Sequence, residues 1–280
     1  MSQPLIAVVV AMFVWWFATG SVFLLVRRGA NHEGRIAFAA TVAGVSALVG
    51  LHASAQWDSV AGAYVAFGSA VIVWAWHEVM FLLGYIAGPR RFSATPGLTG
   101  MRRFREAFAT VRDHELAIAA TVLVVAALTL DAANTVGLWT FVLLWVMRVS
   151  AKLSIYFGAR HSLSEMMPQR QIYLTTYFRT DRTTVFLPVV IGTALAVFVW
   201  LCTLGAGADP VRAVGIALIA TLLGLAIVEH VFLLLPIPDS VLWLWAAPTI
   251  DETDNQIMRG PAASDRTGPD QVKRGGVSWT

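Results

Sequence analysis

Apolar positions in this chain come in long unbroken runs rather than alternating with polar ones. Seven runs are long enough to be membrane spans, at about 5–26, 36–55, 60–87, 116–133, 136–158, 184–206 and 212–235. A run of roughly 20 residues at 1.5 Å per residue crosses about 30 Å of hydrocarbon, so each run predicts a transmembrane helix. The fourth run is the shortest and ends at Asp131. The first is not preceded by a basic residue or followed by a small-residue cleavage pattern, so it predicts a retained span rather than a removed signal peptide. After Pro236 and Pro238, Leu242-Trp-Leu-Trp-Ala is too short to span and predicts an interfacial segment. From Pro248 the chain turns polar and rich in Gly, Pro and Asp. The expected division is a transmembrane domain over 1–247 and a flexible cytoplasmic tail over 248–280.

Composition agrees. Of the 280 residues 57% are hydrophobic and 13% charged, with a mean hydropathy of +0.68, against about 25% charged in soluble domains. The single cysteine, Cys202, lies inside an apolar run and excludes a disulfide scaffold within the chain.

The basic residues orient the bundle. Seventeen of the 20 Lys and Arg residues fall on one set of alternating segments: after span one, between spans three and four, after span five, and in the tail. The opposite set carries Arg212, while Arg148 and Lys152 lie within span five. By the positive-inside rule the N-terminus is outside and the C-terminus cytoplasmic. The pI near 9.3 then reflects charge facing anionic lipid headgroups, not nucleic acid. The expected fold is an all-α polytopic membrane bundle of about seven helices with membrane lipid as a partner. The connection over 159–183 mixes aromatic, apolar and basic residues, which predicts a segment in the headgroup plane. Gly62, Gly68, Gly84, Gly192 and Gly224 are expected to let helices approach closely.

The informative residues are the ionisable ones inside the spans, because each costs roughly 2.5–3.5 kcal/mol at a helix centre on insertion scales. His77 and Glu78 lie in span three, Arg148 and Lys152 in span five, and Glu229 and His230 in span seven. Tyr156 extends Arg148 and Lys152 into an i, i+4, i+8 ladder on one face. His114 and Glu115 open span four, and His161 and Glu165 follow span five; these are secondary candidates. Glu78 lies ten residues before Gly88, roughly 15 Å inside that end, and Glu229 seven before Pro236, about 10 Å. All the groups therefore share the cytoplasmic half of the bundle.

Two readings follow. One is a ligand or cofactor site, with His and Glu holding a metal or a histidine holding the magnesium of a tetrapyrrole. The other is an ion-pair network of Glu78 and Glu229 against Arg148 and Lys152. Four of the six histidines adjoin a glutamate, but neighbours on a helix point about 100° apart, so a His-Glu dipeptide does not present both side chains to one ion. The spacings of histidine-rich oxygenases, di-iron bundles, covalent haem, phosphate loops and serine-hydrolase elbows are all absent. His52, at the outer end of span two, reads as interfacial, and His32-Glu33 as solvated loop charge. Trp57, Trp139, Trp243 and Trp245 fall at the interfaces. Trp74, Trp76 and Trp145 lie deeper, where they can either pack helices or wall a flat aromatic ligand.

Three blocks carry a resemblance: Trp76-His-Glu-Val-Met-Phe-Leu-Leu-Gly-Tyr-Ile-Ala-Gly-Pro-Arg-Arg, Leu144-Trp-Val-Met-Arg-Val-Ser-Ala-Lys-Leu-Ser-Ile-Tyr-Phe-Gly-Ala-Arg-His and Glu229-His-Val-Phe-Leu-Leu-Leu-Pro-Ile-Pro-Asp. Over about 3–250 the chain resembles the photosynthetic complex assembly protein 2 family (PuhE). The resemblance implies a multi-pass protein of the inner, intracytoplasmic membrane of purple phototrophic bacteria. The implied role is assembly of the reaction centre and core light-harvesting complex, with an effect on bacteriochlorophyll supply, and with complex subunits or other assembly factors as partners. It carries over no catalytic residue, and it brings in bacteriochlorophyll or a precursor as the ligand to consider. A non-catalytic assembly factor is the leading expectation. A membrane enzyme acting on a tetrapyrrole, quinone or lipid through Glu78 and Glu229 is the alternative, and a small transporter a third.

Overall fold

The computed structural model describes residues 2–28, 32–129, 131–161 and 167–235. The expected tail, the Trp243 and Trp245 segment and Glu165 lie outside the described residues. Within them the protein is all helical. The helices are α1 (Gln3–Arg28), α2 (Glu33–Ser54), α3 (Val60–Leu82), α4 (Gly100–Leu128), α5 (Val136–Phe157), α6 (Phe186–Ala206) and α7 (Pro210–Phe232), with a 3-10 segment over Gln169–Tyr177 between α5 and α6. All but α4 and the 3-10 segment are long and apolar enough to cross a membrane.

The helix starts are written in the sequence. Ser59 Oγ accepts from the Gly62 N–H at 3.1 Å and caps α3. Asp209 Oδ1 accepts from the Val211 and Arg212 N–H groups, each at 3.1 Å, with Pro210 in the first turn of α7. Both caps satisfy amides that the first helical turn leaves without partners.

The helix α3 is the hub, packing against α1, α2, α4, α5 and α7. Its most apolar stretch is 56% buried, against 11% for α6, whose main contacts are with α7 and α5. One apolar cluster joins α1, α3 and α7 through Ala7, Ala11, Phe67, Val71, Val214 and Leu218. A second joins α2, α3, α4 and α5 through Leu51, Ala70, Val73, Ile118, Val125 and Phe141.

Span four needs correction. The helix starts at Gly100 rather than near 116, so the connection after α3 is largely helical. Its first half carries Arg102, Arg103, Arg105, Glu106, Arg112 and Asp113, and only the second half is apolar, which leaves α4 short of a full apolar span. It still runs beside the others: Thr121 meets His77 of α3, and the Leu128 carbonyl lies 3.4 Å from His52 Nδ1 near the end of α2. Span three ends at Leu82, not 87. The chain then turns through Gly84, whose φ of +78° favours glycine.

Over the part described, the 159–183 connection docks onto the arginine-rich end of the bundle. Gln171, Leu174 and Tyr177 are buried, and Gln171 Nε2 donates to the Phe81 carbonyl at 2.7 Å. Arg170 donates to the Leu83 carbonyl at 2.7 Å and pairs with Glu33. Glu33 thus opens α2 and, at a partly solvated position, ties it to the 3-10 segment. Arg103 Nη2 donates to the Tyr177 carbonyl at 2.6 Å, and Arg90 Nε to the Tyr177 hydroxyl at 2.8 Å. Polar caps of this kind let an irregular segment close the arginine-rich end of a bundle.

The loop after α3 is stitched to α4 by backbone. The His114 N–H reaches the Ala87 carbonyl at 3.0 Å, and the Arg90 N–H reaches the Ala109 carbonyl at 3.2 Å. Gly88 permits this, because a Cβ there would lie 2.1 Å from the Ala109 carbonyl oxygen. Of the glycines expected to bring helices together, Gly224 abuts Phe198 and Gly62 abuts Trp57, but Gly68 and Gly192 face open space. Other close inter-helix approaches are at Gly44 against Trp76, Gly50 against Ser69, Gly137 against Leu51, Gly205 against Ile216 and Gly215 against Val136.

Outside the spans, the Thr95 hydroxyl donates to Glu106 at 2.8 Å. That bond, a backbone one and the Arg90 charge together hold the Glu106 carboxyl below the usual carboxylate range. This loop link is complete above the ordinary carboxylate pKa of 4.5 and is lost as pH falls through the lowered value. Faster exchange of the Thr95 amide, intrinsic rate corrected, only below that range is the expected result. Gly88→Ala is expected to lower the unfolding temperature in detergent, because its clash is with backbone. Gly68→Ala is expected to be neutral or stabilising, by up to about 1 kcal/mol of helix propensity.

Candidate functional site

The ladder expected on α5 does face one place. Arg148, Lys152 and Tyr156 all line a cavity of about 680 Å³ inside the bundle, at the level of the arginine-rich half. Its walls come from α1, α3, α4, α5 and α7, closed at one end by Met167, Leu174, Tyr177 and Phe178. The apolar wall is strongly aromatic, with Trp15, Trp74, Trp145, Phe81, Phe104 and Phe108 contributing.

Polar groups form a band across this wall. Arg148 Nη2 donates to Glu78 Oε2 at 3.0 Å, tying α5 to α3. Lys152 Nζ donates to Glu115 Oε1 at 2.5 Å, tying α5 to α4. Trp145 Nε1 donates to the other Glu115 oxygen at 3.0 Å, and the Lys152 ammonium also lies 5.4 Å from the Phe81 ring centroid. Glu229 and His230 complete the band from α7.

Of the expected network, Glu78 pairs with Arg148; the carboxylate that hydrogen-bonds Lys152 is Glu115, which the expected network did not include. Glu229 lines the cavity and contributes its negative charge to the field at Arg148. Glu115 ranks low when its span begins at 116, because it then sits at a helix mouth. With α4 starting at Gly100 it is mid-helix and level with Lys152. The available signal was Lys152 itself, a second cation in apolar sequence that needed a carboxylate at its own depth.

The His-Glu dipeptides separate as the helix geometry requires. Glu78 faces the cavity, while His77 points into the core, with Nε2 2.9 Å from Thr121 Oγ1. The Thr121 hydroxyl donates to the Ala117 carbonyl at 3.0 Å, so His77 Nε2–H is the donor to Thr121 and Nδ1 is left without a partner. Glu115 faces the cavity, while His114 is fully buried against Phe81, ring centroids 4.5 Å apart, and its ring nitrogens have no hydrogen-bond partner. The two imidazoles sit 6.2 Å apart, centroid to centroid. His230 alone among the described histidines lines the cavity. Its Nδ1 lies 2.8 Å from the Ala226 carbonyl and Nε2 2.9 Å from Ser150 Oγ. Among the described residues no group of three or more His, Cys, Asp or Glu is placed to hold a metal.

The remaining candidates lie elsewhere. His161 donates its backbone N–H to the Leu233 carbonyl at 3.4 Å and does not line the cavity. Trp76 also stays outside it, donating to Thr41 Oγ1 at 3.1 Å; Trp74 and Trp145 are the deep tryptophans that form wall. Ser150, which fixes His230, carries no pattern that separates it from an ordinary helix serine.

Fold and site together define a multi-pass membrane protein with an ion-paired cavity in its bundle. The chain belongs to the family described as "Protein of unknown function (DUF3623)", whose model matches residues 1–254. It is also similar to the "Uncharacterized 30.4 kDa protein in puhA 5'region" of Rhodobacter capsulatus. The two are 35% identical over 260 residues, covering 90% of this chain and 94% of that one. No solved structure matches.

Breaking one partner of a buried pair leaves an uncompensated charge, whereas replacing both with apolar groups of similar volume is often neutral or better. Glu115→Ala is therefore expected to destabilise the detergent-solubilised protein by about 3 kcal/mol, because it strands Lys152 and deprives the Trp145 N–H. The Glu115→Leu, Lys152→Met double variant is expected to stay within about 1 kcal/mol of the parent. Equilibrium unfolding in mixed micelles followed by tryptophan emission measures both.

Proposed function

We propose that this protein is an integral membrane assembly factor for the bacterial photosynthetic reaction centre and core light-harvesting complex, acting in the inner, intracytoplasmic membrane and handling bacteriochlorophyll or a precursor. The photosynthetic context is supported by the relative in the puhA 5' region, which fits a photosynthesis-related gene neighbourhood, and by the three resembling blocks. Those blocks supply Glu78, Arg148, Lys152, Glu229 and His230 of the cavity wall.

Pigment handling rests on one observation, the cavity itself. At about 680 Å³ it falls in the 300–1,000 Å³ range of small-molecule and cofactor sites. An aromatic wall with a few convergent polar groups suits a flat, lipid-soluble ring. Trp74, Trp145, Phe104 and Phe108 would flank such a ring, with the ion-paired band at its polar edge. A bound pigment would supply its own magnesium. The cavity-facing His230 already has neighbours at both ring nitrogens, so this wall fits the ring and its substituents better than it fits an axial histidine ligand.

An assembly factor of this kind binds and releases cargo without transforming it, and nothing in the ion-paired band requires a reaction. Complex subunits would meet it at its arginine-rich face, where α4 and the 3-10 segment project from the apolar spans.

The role is tested by deleting the reading frame of the relative in Rhodobacter capsulatus and complementing it with this chain. Near-infrared absorption of the membranes is expected to show loss of core-complex bands on deletion and their recovery on complementation. Unchanged bands in the deletion strain, or recovery by unrelated multi-pass proteins, would overturn the proposal.

A further inference from the structure

The arginine-rich ends of α1 and α2 meet through Val22, Val26 and Ala37. Beside this contact runs an open groove of about 830 Å³, which shares no lining residue with the cavity of the candidate site. Ile36, Ala39, Ala40 and Ala43 line it at i, i+3, i+4 and i+7, so they form one face of α2. Gly34 adds no side chain, and a Cβ there would meet nothing within 4 Å. Small residues thus leave the hollow, and Leu25 of α1 and Phe38 of α2 supply its large apolar lining. From Gly34 to Ala43 the groove follows α2 for roughly 14 Å, about half of a hydrocarbon core of about 30 Å. That is the depth of one leaflet.

Two polar side chains, His32 and Arg35, line the groove, both at its arginine-rich mouth. Arg35 is exposed, and among the described residues its guanidinium has no hydrogen-bond or ion-pair partner. No carboxylate lines the groove. The nearest along the chain, Glu33, accepts from Arg170 at both oxygens and is absent from the lining. Arg27, two residues past Leu25, has interactions of its own and is also absent from the lining. Arg35 therefore sets the electrostatic preference of the mouth, and His32 offers a ring N–H beside it. A zwitterionic headgroup brings a cation that finds no carboxylate here. A headgroup whose only charge is its phosphate brings the partner that Arg35 lacks.

We infer that the groove beside α1 and α2 is a binding site for one phospholipid with a singly charged anionic headgroup, of the phosphatidylglycerol class. Its phosphate lies on Arg35 and His32, and one acyl chain follows Ala39 and Ala43. The site does not depend on what occupies the cavity or on a role in complex assembly.

The full chain in detergent is titrated with phosphatidylglycerol and with phosphatidylcholine of the same acyl chains, and bound lipid is counted by native mass spectrometry. One phosphatidylglycerol is expected to bind at least about tenfold more tightly than phosphatidylcholine, the worth of one charge-assisted hydrogen bond. Arg35→Gln is expected to abolish that preference, and Arg35→Lys to keep most of it. Arg102→Gln removes the same charge from another exposed arginine, on α4, and is expected to leave the preference unchanged. Ala39→Phe fills the groove without touching a charge and is expected to weaken phosphatidylglycerol as much as Arg35→Gln does. Arg35 and Ala39 are both exposed, so thermal unfolding of these variants is expected to match the parent, which separates lost binding from lost fold. Equal binding of the two lipids, as in ordinary annular contact, overturns the inference. An equal loss in Arg35→Gln and Arg102→Gln, as in diffuse attraction to a basic face, overturns it too, and so does unchanged phosphatidylglycerol binding in Ala39→Phe.

Discussion

Two cations on one apolar helix set the terms for the whole bundle. Arg148 and Lys152 lie within α5, where an unpaired charge is expensive, and each must find a carboxylate on a neighbouring helix. Arg148 takes Glu78 from α3 and Lys152 takes Glu115 from α4. Those two bonds fix the rotation of three helices about their axes and the depth of α4 relative to α5. The apolar half of α4 is too short to set that depth by hydrophobic length. Lys152 supplies the missing constraint, helped by the Trp145 N–H on the same carboxylate and by the backbone stitches at Ala87 and Arg90.

The same pairing explains why a cavity exists. Long side chains reaching across from α5 to α3 and α4 hold these helices by their ends rather than by close packing at the same level. Close packing is achieved elsewhere, at Gly137 against Leu51 and Gly215 against Val136, near the opposite end of the bundle. Glycine contacts draw that end together, while arginine, lysine, glutamate and tryptophan prop the arginine-rich half open. The 3-10 segment then closes it through Gln171, Leu174 and Tyr177, and the hydrogen bonds of Gln171 and Tyr177 run to α3, α4 and the loop between them.

Six spans were legible in the chain because a 20-residue apolar run has few alternative fates. The buried charges were legible for the converse reason: in such a run they stand out. What escaped detection were features whose signals resemble something else. The start of α4 reads as loop because arginines dominate it, although its apolar positions Phe104, Phe108 and Val111 recur at helical spacing and face the cavity. Starting the helix at 116 puts Glu115 at its mouth and leaves it out of the ion-pair network. The docking of Gln171 and Tyr177 onto the bundle depends on backbone carbonyls of α3 and on Arg90 and Arg103. No local pattern encodes it. Gly68 and Gly192 show that glycine in a span marks close approach only where a neighbouring helix is there to approach.

The dipeptides His77-Glu78 and His114-Glu115 show how one sequence feature serves two environments. Adjacent side chains diverge by about 100°, so placing each glutamate on the cavity wall sends each histidine into the apolar core. There His77 anchors to Thr121, and the two imidazoles pack against Phe81, Phe141 and each other. A metal-centred reading of these dipeptides requires both members to converge, and the helix forbids it. On α7 the order is reversed and the outcome differs: Glu229 and His230 both border the cavity, with His230 held by Ser150 and the Ala226 carbonyl. The cavity therefore gathers three carboxylates and one fixed imidazole around two cations, while two further imidazoles remain in the packing behind it. That separation leaves the ion-paired band and one imidazole facing whatever enters.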